Sequence, residues 1–148
     1  MELPEITINE QRVHAMCAME EELLKHEQVE IPVTHRFSGG VYNREIFIPK
    51  GTLLTSRVHK FSHFDVMLSG DITISTNGGE VERLKGQHVI TSEVGKKRVG
   101  FAHEDTVWMT FHAAPELDDK EEMLEYITCK NYQELNQFYL ALEEIKNE

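Results

Sequence analysis

The 148-residue chain has only two cysteines, no long apolar run and far fewer basic than acidic residues, and each shortage removes a class of protein. Cys17 and Cys129 fall in segments that read as helices, so reduced thiols in a core or an interface are expected, and a disulfide framework or a catalytic pair is not. No apolar stretch approaches the roughly 20 residues that a bilayer span requires. The N-terminus also lacks a basic region followed by an apolar one. A cytoplasmic protein without a membrane partner is the expectation. Lys and Arg number 15 against 26 Asp and Glu, a formal charge of −11. A duplex phosphate backbone repels such a chain, so duplex nucleic acid is not expected as a partner. Nucleophile elbows, phosphate loops and paired-cysteine metal motifs are missing too, as are internal repeats and low-complexity segments.

The charge is unevenly spread. Residues 1–30 hold eight acids against Arg12 and Lys25, and 116–148 hold ten acids against Lys120, Lys130 and Lys146. The middle, 31–115, has ten Lys and Arg against eight acids, so the acidity lies in the flanks and the centre is mildly basic. At 17.1 kDa the chain suits one domain over 1–148 with a real core. A helix is expected within 9–28, over about 10 to 26, capped by Asn9 and striped with Val13, Met16, Cys17, Leu23 and Leu24. From 33 to 114 the pattern changes to short runs rich in Val, Ile, Thr and Phe between turn signals such as Gly39-Gly40, Pro49-Lys50-Gly51 and Asn77-Gly78. This predicts an all-β antiparallel sandwich or barrel, with Asn77-Gly78 as the strongest single turn. Over 116–148, Asp118 or Asp119 can cap a helix through Tyr126, and a second is expected from Asn131 to Ile145 with Leu135, Phe138, Tyr139, Leu142 and Ile145 on one side. These helices would pack on the barrel or on a second subunit.

Most of the chemistry lies between Gly51 and Gly70. Arg57-Val58-His59 reads as a strand with Arg57 and His59 on one face, and His63 opens the next strand after a Lys60-Phe61-Ser62 turn. Two imidazoles can thus converge from adjacent strands. Imidazole suits a divalent transition metal, but a working site commonly takes three protein ligands and an open position. Arg57 cannot serve as the third, because guanidinium has no lone pair to offer. His103, His112 or a carboxylate such as Asp65 could.

The spacing of Gly51, Arg57, His59, His63 and Gly70 resembles the first metal-binding motif of the cupin superfamily: Gly, five residues, His, one residue, His, three residues, Glu, six residues, Gly. Arg57 stands for the first His and His63 for the Glu. The second cupin motif runs Gly, five residues, Pro, one residue, Gly, two residues, His, three residues, Asn. From Gly86 it is matched loosely, with Ser92 in the Pro position, Gly95 one place late and Arg98 where the His ligand should be. Gly40-Val41-Tyr42, Arg44-Glu45-Ile46, Ile48-Pro49-Lys50-Gly51, His59-Lys60, His63-Phe64 and Lys97-Arg98-Val99 extend the likeness, as does the run from His103 through Trp108 to His112. Over about 9 to 113 the chain is similar to small cupins of tailed phages, in which the first motif often reads His, any residue, His, Lys, two residues, His, Phe. The resemblance implies a double-stranded β-helix (jelly-roll) barrel with flanking N- and C-terminal helices, and a three-His site from which Arg57 departs.

Three uses of this pocket stay open at the level of sequence. Arg57 and Arg98, in two ligand positions, suit a small anion such as a nucleotide or other phosphorylated molecule, held with His59, His63, Lys60 and an aromatic platform. Tyr42, Arg44, His103 and Trp108 are further candidates, with Lys96 and Lys97 nearby; Trp108 and Thr110 lie opposite Val107, Met109 and Phe111 on their strand, and either set could face the pocket. In a phage, such a protein could sequester a host nucleotide signal. Alternatively, His59 and His63 bind a divalent metal in an enzyme, for instance a nucleotide hydrolase. The third use is structural, an empty barrel acting as an oligomerisation or virion module, with Arg57 and Arg98 pairing with Asp65, Glu104 or Asp105 to hold strands together; a homodimer or larger homo-oligomer is expected in any case. His14, His26, His35 and His88 have no partner at ligand spacing and read as surface or packing residues.

Overall fold

Gly39 and Gly40 make the first hairpin. Both have positive φ, 57° and 80°, the conformation that a two-residue turn needs to match the twist of its strands. In this computed structural model, which describes residues 10–76 and 81–147, the turn joins β1 (Val33–Ser38) to β2 (Val41–Ile48), with Ser38 opposite Val41. The Asn77-Gly78 turn and the Asn9 cap lie outside the described residues.

The further strands are β3 (Leu53–Thr55), β4 (Val58–His59), β5 (His63–Thr76), β6 (Glu82–Lys85), β7 (His88–Ser92), β8 (Arg98–Ala113) and β9 (Thr128–Cys129). Seven of them form one antiparallel sheet whose path runs β1-β2-β8-β5-β6, with β3 on β8 and β7 on β5. The two longest strands, β5 and β8, pair from Phe64 opposite Phe111 to Thr76 opposite Arg98. Register shifts between Met67 and Ile72 bend the pair. Gly70 sits in that bend with φ 118°, and a Cβ there would lie 2.6 Å from the backbone of Thr106. The closing glycine of the sequence motif is therefore required by strand contact. Along β8 the even-numbered residues Thr106, Trp108, Thr110 and His112 point inward while Val107, Met109 and Phe111 do not. Of these, Trp108 joins Ile48, Met67, Ile72, Ile74 and Ala102 in the main core.

Two expectations need correction. The hydrogen-bonded strands do not close into a barrel among the described residues, because the path ends at β1 and β6. The motif strand β4 is also not a neighbour of β5; it pairs with β9, Val58 opposite Cys129 and His59 opposite Thr128. Cys129 is thus a strand residue, buried and free, while Cys17 is free and exposed.

Helix α1 (Glu10–Leu23) stops short of residue 26 and buries only Met16; Leu24 is exposed. Its stripe is interrupted by Glu20, and that residue anchors the helix instead, with Glu20 Oε2 2.5 Å from the buried Lys97 Nζ. Helix α2 (Lys120–Ile127) is capped by Asp119, whose side chain accepts from Glu121 N. Helix α3 (Tyr132–Lys146) is capped by Asn131, and Glu134 reaches back to Lys130 N. Leu135 and Tyr139 of α3 pack with Val58 and Cys129, while Ile145 stays exposed. Met123 and Ile127 of α2 pack with Tyr42 and Ala114. The C-terminal segment is thereby built into the same body as the motif strand.

Candidate functional site

The inward faces of β2, β5 and β8 and the end of β4 surround a cavity of about 310 Å³, at the small end of the 300–1,000 Å³ range usual for ligand pockets. Its apolar lining includes Ile48, Leu54, Ile72 and Ile74. Its polar lining comprises Arg44 from β2, Arg57 and His59 at β4, Asp65 from β5, and Arg98, Trp108, Thr110 and His112 from β8, with Thr55 and Ser56. Ile31 and Val33 close one flank, and Leu124, Ile127 and Thr128 of the C-terminal segment close another.

Asp65 organises the polar lining. It is 1% exposed, and a carboxylate at that depth is tolerated only if its oxygens are occupied. Trp108 Nε1 donates to Oδ1 at 2.9 Å, Ser92 Oγ donates to Oδ2, and Arg98 Nη1 donates to Oδ2 at 3.2 Å. Arg98 Nη2 also donates to Ser92 Oγ at 2.7 Å. Burial favours the neutral acid, but the His63 imidazole, the Arg98 guanidinium and the Ser92 hydroxyl outweigh it and hold the Asp65 carboxyl well below the usual carboxylate range. Arg98 also lies over the Trp108 ring, 6.0 Å from its centroid.

Arg57 and Arg44 are less well satisfied. Arg57 Nη1 meets Glu125 Oε1 at 3.1 Å, on the solvent side of α2. Its Nε and Nη2 are buried with no hydrogen-bond partner, as is Arg98 Nε. Arg44 is largely buried and its side chain makes no hydrogen bond or ion pair with any described residue; burial lowers its pKa. The cavity wall thus holds three guanidinium groups against one carboxylate, Asp65.

His59, His63 and His112 stack on one another, with ring centroids 4.3 Å apart for His59 and His63, 4.7 Å for His63 and His112, and 5.9 Å for His59 and His112. His59 Nδ1 bonds the Lys96 carbonyl at 3.0 Å, His63 Nδ1 the Phe61 carbonyl at 3.2 Å, and His112 Nε2 the Thr110 hydroxyl at 2.8 Å. Burial and the neighbouring His63 lower the pKa of His59 to about 4. Burial, His63 and His59 lower that of His112 to about 3. Both rings are therefore neutral at pH 7.

The resemblance of the motifs to those of cupins implies a metal here, and these side chains do not fit one. Ligation needs nitrogen lone pairs aimed at a common point, whereas these rings present their faces to one another. His63 Nε2 lies 3.2 Å from Asp65 Oδ2, the carboxylate oxygen already committed to Arg98 and Ser92. No group of three His, Cys, Asp or Glu among the described residues is arranged to hold a metal ion.

Of the residues singled out from sequence, Arg44, Arg57, His59, Arg98 and Trp108 line the cavity, and His63 stacks directly behind His59. The others lie elsewhere. Lys60 pins α2, its Nζ donating to Glu125 O at 2.6 Å and its backbone N to Ile127 O. His103 bonds Thr73 Oγ1 at 2.7 Å and meets Phe101 edge-on. Tyr42 belongs to the cluster under α2 and bonds His35. Lys97 holds Glu20 and the Ser56 carbonyl. Arg98 does pair with Asp65, whereas the partner of Arg57 is Glu125, which no local pattern marks. Leu124, Ile127 and Thr128 were equally invisible, because their role depends on the return of the chain beside β4.

No family profile matches the chain, and no curated protein matches it in sequence. Solved structures do resemble it. KdgF from Halomonas sp. superimposes with a TM-score of 0.52 at 14% identity, covering 69% of this chain and 96% of that one. A cupin superfamily protein from Desulfitobacterium hafniense superimposes with 0.50 at 10% identity, over 61% and 83%. An RmlC-like cupin with a double-stranded β-helix fold from Methanocaldococcus jannaschii gives 0.49 at 12% identity, over 60% and 84%. With the strand path and motif positions above, the first two similarities give the chain a cupin-type fold, extended by helices at both ends.

Proposed function

We propose that the cavity binds a small anionic organic molecule, with its carboxylate or phosphate on Arg57 and Arg44 and its carbon skeleton against Ile48, Leu54, Ile72 and Ile74. The observation that carries this reading is the shortage of acceptors: Arg57 has two buried N–H donors without partners, and Arg44 has no acid at all. A buried donor left unpaired costs about 1–3 kcal/mol, more when charged, and an anion in the cavity would recover part of that. Guanidinium recognises carboxylate and phosphate in the same fork geometry. Arg98 contributes mainly by holding Asp65, which leaves it less available than the other two. A nucleotide is one anion of this class, and in the tailed-phage setting that the sequence resemblance implies, holding one would sequester a host signal. Trp108 adds little as a base platform, being 7% exposed with its ring already beneath Arg98.

The test is thermal unfolding of the purified protein against mononucleotides, sugar phosphates and small carboxylates at constant ionic strength. A ligand at about a hundred times its Kd adds roughly 2.7 kcal/mol of stability, readily seen as a rise in Tm. The rise should shrink in Arg57→Gln and Arg44→Gln. A panel in which no anion stabilises the wild type more than these variants overturns the reading.

A further inference from the structure

We infer that the cavity selects an anion that also carries a hydroxyl group, a hydroxycarboxylate or the phosphate monoester of a polyol, whose hydroxyl donates to Nε2 of His59. This rests on the anion-binding reading above and narrows it. The Lys96 carbonyl oxygen can only accept, so the His59 ring nitrogen 3.0 Å from it must carry the hydrogen. A neutral imidazole has one N–H, which leaves the opposite nitrogen with an exposed lone pair.

That second nitrogen is unclaimed. His59 lines the cavity, and its Nε2 makes no hydrogen bond with any described residue. Nor is it sealed off, unlike His63 Nε2, which is fully buried without a hydrogen bond. Burial and the adjacent His63 keep the ring unprotonated at neutral pH, so the acceptor persists where a ligand would bind. Arg57 stands two residues before His59 and lines the same cavity, and two residues of chain span at most about 7 Å. One small molecule can therefore reach both, its anionic group on the guanidinium and a nearby hydroxyl on the imidazole. An acceptor beside donors rejects a ligand that offers anionic oxygens alone, because the lone pair would stay desolvated and unpaired.

The experiment uses calorimetric titration of the full chain with matched pairs that differ by one hydroxyl: malate, both enantiomers, against succinate, and glycerol 3-phosphate against propyl phosphate. The two pairs distinguish a carboxylate from a phosphate ligand. In at least one pair the hydroxylated member should bind about tenfold tighter to the wild type, the size expected for one hydrogen bond. His59→Phe should abolish that preference, His59→Gln, which keeps an acceptor, should restore part of it, and Arg57→Gln should weaken both members alike. Equal binding within both pairs overturns the inference while leaving the anion reading intact, and so does a preference that survives in His59→Phe. If no member of either pair binds and the wider anion panel is also flat, the anion reading falls and takes the inference with it. Should the Phe variant fail to fold, the wild-type pairs and the Gln variant decide.

Discussion

Replacing Asp65 by alanine should be among the most destabilising single changes in the molecule. Four groups depend on this carboxylate. Trp108 Nε1 and Ser92 Oγ would lose their acceptor, Arg98 would become a cation with 12% side-chain exposure and no counter-charge, and His63 would lose the acid 3.2 Å from its Nε2. Removing one member of a buried ion pair costs about 3–5 kcal/mol, because the remaining charge is stranded. At about 2–4 °C per kcal/mol for a chain of this size, Tm should fall by roughly 6–20 °C. Urea unfolding of wild type, Asp65→Ala, Arg98→Met and the double variant checks the origin of the loss. Arg98→Met in the Asp65→Ala background should recover part of it, since the stranded charge is gone. A loss below about 1 kcal/mol, or no recovery in the double variant, would refute the view that Asp65 is the electrostatic centre of the site.

Acid should weaken the fold well before carboxylates titrate. His59 and His112 have folded pKa values of about 4 and about 3 against 6.5 unfolded, so below pH 6.5 the unfolded chain binds more protons and stability falls with pH, by about 2 kcal/mol per imidazole at pH 5. Urea unfolding at pH 7 and pH 5 reads this, and a flat profile contradicts it. Asp65, shifted downward, adds a further loss below the usual carboxylate range. Gly70→Ala should cost about 3 kcal/mol or more, from a Cβ 2.3 Å from Thr106 Oγ1 and 2.6 Å from its Cα plus a left-handed backbone. Gly51→Ala, with φ 84° and open space around the added methyl, should cost only about 1–2 kcal/mol; thermal melts of the two variants compare them directly. Glu125→Gln should leave stability within about 1 kcal/mol of wild type, because its pair with Arg57 is 54% exposed on the acid side. The same variant should tighten anion binding several-fold in calorimetry, since the carboxylate no longer competes for Arg57. Unchanged affinity would show that Glu125 and the ligand do not share that guanidinium.

By itself the sequence determined the strand-rich middle, the helices at both ends and the spacing of Arg57, His59 and His63. These rest on short-range causes: alternation of apolar residues, turn glycines such as Gly39-Gly40, and side-chain caps at Asp119 and Asn131, all readable within a few residues. The tertiary structure alone decided which residues of β8 face inward, that β4 pairs with β9, and that α2 closes the cavity with Leu124 and Ile127. It also separated the three guanidinium groups, pairing Arg98 with Asp65 33 positions away and Arg57 with Glu125 68 positions away, and leaving Arg44 without an acid. Such pairings depend on where a returning chain places its charges, and an outward or inward assignment flips with a one-residue change of register. The residue types were legible locally, but their satisfaction, on which the proposed chemistry depends, is a property of contacts between distant segments.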